Sequence, residues 1–168
     1  MMRLIAAVIT ALAVVGRASR VEAQSVLGTW QLLSRMDSSV AGVQPADGPL
    51  GPDPVAWLIY DGRGHVSAQL MARDRASSAT TSPTAAAPDP NNSAASGGYD
   101  AYFGTYEVDS VQHTITHHLL AALSPADVGR TLRRTFLSRG DTLIIRFDAR
   151  RVDGTPVTRL LVWRRIAP

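Results

Sequence analysis

Tyr102-Phe-Gly-Thr-Tyr-Glu-Val-Asp109 and, after Ser110, Val111-Gln-His-Thr-Ile-Thr-His-His-Leu-Leu120 decide the fold. Both runs are rich in β-branched and aromatic residues, and Asp109-Ser110 breaks between them, so they read as two antiparallel strands of a hairpin. Side chains alternate faces along a strand. Tyr102, Gly104, Tyr106 and Val108 therefore share one face, and His113, Ile115, His117 and Leu119 form the matching set on the return strand. An apolar face that carries Tyr and His suits the wall of a small-molecule cavity.

Further strands extend in both directions from this hairpin. Upstream, Gly28–Arg35, Val55–Tyr60 and His65–Met71 have strand composition, with Asp61-Gly-Arg-Gly64 as the turn between the last two. Downstream come Thr131–Arg139, Thr142–Asp148 and Val157–Arg165. Met36–Pro54 is rich in Gly, Pro, Asp and Ser and reads as a loop. Residues 72–98 hold almost no large apolar side chain, so they read as a flexible insertion loop, with a short helical turn expected around Asn92–Ser96. Eight short strands joined mostly by tight turns form a meander. Closing its first strand on its last removes two exposed edges, so the expected fold is all-β, an eight-stranded antiparallel up-and-down barrel. Such a barrel is filled by side chains or holds one small ligand.

The N-terminus is a separate element. Met1-Met2-Arg3 precedes a run from Leu4 to Val15 that is apolar apart from Thr10, and Val21-Glu22-Ala23 carries small or β-branched residues at the two positions that a signal peptidase reads. Residues 1–23 are thus expected to be a helical secretory signal cleaved after Ala23, leaving 24–168 as the domain, exported to the periplasm or beyond. The run of 12 residues is shorter than the ~20 needed for a spanning helix, so no stable membrane span is expected after cleavage. Without Arg3, Arg17, Arg20 and Glu22, 14 basic and 13 acidic residues remain of the original 17 and 14. That balance gives no basic surplus for nucleic acid. The chain has no Cys, which excludes disulfides, thiolate chemistry and sulfur metal sites. It also has no Lys, which excludes Schiff-base chemistry.

Gly28-Thr-Trp30 resembles the Gly-x-Trp signature of lipocalins. The stretches Leu58-Ile-Tyr60, Gly64, Val66-Ser-Ala68, Tyr102-Phe-Gly-Thr-Tyr106, Thr116-His-His118, Ser124-Pro125, Val128-Gly129, Arg134, Phe136, Gly140-Asp141 with Leu143, and Leu161-Val-Trp163 with Arg165 are similar, in order and spacing, to the bacterial and fungal lipocalin-like domain family. Arg63 departs from the acidic residue usual in its turn, and 72–98 is richer in Ala, Ser and Pro than the family's short helix. The resemblance implies a closed calycin-type barrel and a binding cup for small, largely apolar molecules. It also implies that Arg165 packs over Trp30 at the closed end.

The candidate ligand-binding residues are Tyr60, Tyr102, Tyr106, His117, Arg134 and Phe136. Arg134 shares a face with Leu132 and Phe136, and an inward arginine needs either a structural partner or a ligand's carboxylate, carbonyl or phosphate. His117 is either a hydrogen-bonded core residue or a ligand contact. On a strand, His113 and His117 stand ~13 Å apart, too far to share one metal ion, so no metal and no cofactor are expected. The partner expected is a small hydrophobic molecule. An alternative is a barrel isomerase or cyclase using His117, Arg134 and Tyr106. Another is a packed envelope barrel without a ligand. No sequence feature sets an oligomeric state.

Overall fold

A computed structural model describes residues 26–75 and 93–168. The expected signal helix and its cleavage site, most of the 72–98 insertion, and Asn92 of the expected helical turn lie outside the described residues.

The strands are β1 Gly28–Ser39, β2 Gly42–Pro45, β3 Val55–Tyr60, β4 His65–Met71, β5 Tyr99–Asp109, β6 Thr114–Ala122, β7 Thr131–Arg139, β8 Thr142–Arg150 and β9 Pro156–Ala167. A short 3-10 turn, Pro125–Asp127, lies between β6 and β7. Successive strands pair antiparallel from β3 to β9, and β1 pairs both β3 and β9. That second pairing closes an eight-stranded barrel, with the short β2 attached outside it on the end of β1. Among the described residues no helix is long and apolar enough to cross a membrane.

Three expectations about local structure are corrected. β1 continues four residues past Arg35 and turns back through β2, where a loop was expected, because Met36–Ser39 pairs with Gly42–Pro45. The return strand begins at Thr114, so His113 lies in the hairpin turn with φ +50°, exposed and off the inward face. Ser93–Ser96 is not helical: it is irregular backbone ending in a bridge between Ser96 and Tyr99.

Alternation sets the core. Trp30, Leu58, Tyr60, Val66, Ile115, Leu119, Leu132, Leu143, Ile145 and Trp163 are all buried. Burying each large side chain contributes roughly 1.5–3 kcal/mol. β1 breaks its own alternation. Between Leu32 and Ser34 the register against β9 slips by one residue, so the inward set changes from Trp30 and Leu32 to Arg35 and Asp37. A bulge of this kind reverses every side chain beyond it.

One end of the barrel is sealed. The Arg165 guanidinium lies 4.1 Å from the Trp30 ring centroid and bonds the Leu27 carbonyl, as the family resemblance implied. Trp30 Nε1 donates to the Val26 carbonyl at 2.8 Å. At Gly28, φ is +119°, and a Cβ there would lie 2.5 Å from the Ala167 carbonyl oxygen, so the seal requires glycine. Gly104 has a similar role in the wall. A Cβ on it would come within 1.9 Å of the His118 carbonyl oxygen, where β5 and β6 slip register.

Candidate functional site

Four of the six candidate side chains meet in the interior. Register places Tyr106 opposite His117, and His117 opposite Leu132 on β7. His117 is fully buried, with Tyr60 Oη 2.8 Å from Nε2 and Tyr102 Oη 3.1 Å from Nδ1. Arg134 Nη1 donates to Tyr102 Oη at 2.8 Å and lies 3.2 Å from His117 Nδ1. An arginine N–H can only donate, so Nδ1 is the acceptor and Nε2–H donates to the Tyr60 oxygen. This requires a neutral ring. Burial, then the positive charge of Arg134, holds the His117 pKa well below the ordinary histidine value. Burial likewise raises the Tyr60 and Tyr102 hydroxyls above their ordinary range, so both stay protonated.

The other two candidates lie apart from this cluster. Tyr106 is half-buried, packs edge-on against Tyr60 at 4.8 Å, and sends its hydroxyl to the Asp61 carbonyl at 2.9 Å. Phe136 is a buried core residue.

A cavity of about 30 Å³ lies beside the cluster. Tyr102, Arg134, Asp100, Phe147, Leu161 and Trp163 line it, and Leu50 and Ser93 border it from irregular segments. At roughly 10–15 Å³ for each water, the space is two or three waters in size. Arg134 lies 5.0 Å from the Phe147 ring centroid, so its cation packs on an aromatic face. Asp100 is buried, and Ser93 Oγ donates to its Oδ2 at 2.5 Å. Burial raises the Asp100 pKa. Asp100 Oδ1 and Trp163 Nε1 are buried without a hydrogen-bond partner among the described residues, and both residues line the cavity.

The sequence reading omitted a second buried polar group. Arg159 donates to both oxygens of Asp37, at 2.7 and 2.9 Å, and Arg151 reaches Asp37 at 3.2 Å. Arg35 caps the carbonyls of Asp47 and Gly51. Burial lowers the Arg35 pKa to about 10, which leaves it charged at neutral pH. The omitted signal was the inward phase of β9, since Val157, Leu161 and Trp163 alternate with Arg159 at their centre. Among the described residues no three His, Asp or Glu side chains converge as a metal site.

A closed antiparallel meander with a sealed end, and a polar cluster inside an apolar interior, define a lipocalin-type barrel. The model of the lipocalin-like domain family matches residues 27–166, and the chain belongs to that family. The comparison with curated proteins returned no match.

Proposed function

We propose that this protein is exported and holds one small, largely apolar molecule with a polar end inside the barrel. The observation that carries the reading is Arg134: a buried cation on the cavity wall, held between Tyr102 and Phe147. The two unpartnered polar atoms, on Asp100 and Trp163, supply a further acceptor and donor on the same wall. A carboxylate or carbonyl fits the arginine fork, and Phe147, Leu161 and Trp163 cover the apolar body. The space is small for a ligand as it stands. Leu50 and Ser93 sit on irregular backbone, so they are the lining residues able to shift without breaking a strand ladder. Arg134→Ala is expected to weaken binding of such a molecule by tenfold or so while leaving the far-UV circular dichroism unchanged. Loss of the folded spectrum in that variant would make Arg134 structural and overturn the site. N-terminal sequencing of protein recovered outside the cytoplasm should begin at Gln24.

The small cavity favours a second reading, a packed barrel acting through its surface. A catalytic role draws less support. Both nitrogens of His117 are engaged, its ring is held neutral, and it does not line the cavity.

A further inference from the structure

β7 and β8 are nine residues each, yet they pair only from Thr135–Arg139 to Thr142–Arg146. Beyond that, Thr131–Arg134 pairs with β6 alone and Phe147–Arg150 with β9 alone, so the barrel wall divides. The division is a cleft of about 290 Å³. Its lining mixes both faces of the wall. Arg133, Thr135, Arg146 and Asp148 are exposed, while Arg134 and Phe147 are buried and also line the interior cavity.

We infer that this cleft is a binding site for a small organic acid, entered from the outer face of the wall and sharing Arg134 and Phe147 with the interior cavity. The chemistry of the lining selects the occupant. Arg133 and Arg146 line the cleft from its exposed side and Arg134 from its buried side, against one acidic residue, Asp148, so the cleft favours an anion. The hydroxyls of Thr135 and Thr158 add hydrogen-bond partners at the same place. The two facing strand edges lack ladder partners across the gap, which leaves main-chain amides able to bond a carboxylate. Phe147 at the inner side offers an aromatic surface to the apolar part of the molecule, and a bare inorganic anion would not use it. Arg133 is already bonded to Gln112 Oε1. Arg146 makes no ion pair among the described residues, so it is the principal determinant.

The test is a two-dimensional amide NMR titration of the purified protein with sodium benzoate, and separately with sodium phosphate, at constant ionic strength. Benzoate is expected to move the amides of 131–135 and 146–149 saturably, with phosphate weaker. Arg146→Gln, at an exposed position that leaves folding intact, should weaken benzoate by about fivefold. Asp148→Asn should tighten it by about twofold. Benzoate shifts confined to the residues around Leu50 and Ser93, shifts unchanged in Arg146→Gln, or no saturable shift would overturn the site. Phosphate binding as tight as benzoate would overturn the organic-acid assignment. Arg134→Ala is expected to weaken both sites, because Arg134 lines both; interior binding is read separately, from shifts around Leu50 and Ser93 that persist in Arg146→Gln, so the two readings can fail independently.

Discussion

Before Leu33, β1 sends Gly28, Trp30 and Leu32 into the barrel; after it, the same strand sends in Arg35 and Asp37. The first half builds a sealed end by aromatic packing and a guanidinium stacked on indole. The second half builds a buried charged ring with Arg159 and Arg151. The difference shows that one inserted residue suffices to give a single strand an apolar inward face at one end and a charged one at the other. It also shows why the two halves should fail differently. The first loses contacts when cut, whereas the second is left with stranded charge.

That contrast sets the expected stabilities, measured by urea denaturation. Asp37→Ala leaves Arg159 buried with only the longer, 3.9 Å pairing to Asp47, and should cost about 3 kcal/mol. Replacing the pair together, with Asp37→Leu and Arg159→Met, should recover most of that loss, because charge and desolvation leave together. If the double variant is as unstable as the single one, the charged ring is not the cause. On the other side of the bulge, Trp30→Ala should cost about 3–5 kcal/mol by leaving a cavity, and no partner substitution should restore it. Gly104→Ala should cost about 1–3 kcal/mol, since the added methyl meets the His118 carbonyl. Arg165→Ala should cost the least, about 0.5–1 kcal/mol, because it removes a partly exposed cation from Trp30.

The His117 cluster and Asp100 add a pH signature. The His117 pKa is lower folded than unfolded, so as pH falls below about 6.5 the unfolded chain takes up a proton that the folded one refuses. Stability should therefore be flat above that pH and fall by about 1.4 kcal/mol per unit below it, until the folded ring itself protonates. Asp100 works in the opposite direction: its raised pKa means the folded state gains stability by protonating as pH falls through that value. His117→Gln should flatten the slope below 6.5, and an unchanged slope would place the titration elsewhere.

The strands that alternate cleanly are legible in the sequence. β3, β4 and the hairpin of β5 and β6 follow from composition and period, and Arg134 was marked by Leu132 and Phe136 on its face. His117, Tyr60, Tyr102 and Arg134 were named individually. Their mutual hydrogen bonds depend on the curvature that brings β3 within reach of β6, which no periodicity encodes. Arg35 and Asp37 were hidden because the bulge at Leu33 reverses the phase, and charged residues read naturally as outward. Arg159 was hidden because β9 is apolar on both faces, leaving its inward side undetermined. The split between β7 and β8 left no trace, since both strands keep full length and regular alternation where they part.

Native mass spectrometry of the protein purified from its own host would show whether the barrel carries a small molecule held at Arg134. The expected result is an added mass, carried by the folded protein and released on denaturation, that is lost in Arg134→Gln while the folded charge-state distribution stays the same. A folded wild-type protein at its bare mass, with or without added small apolar acids, would contradict it and leave the packed barrel.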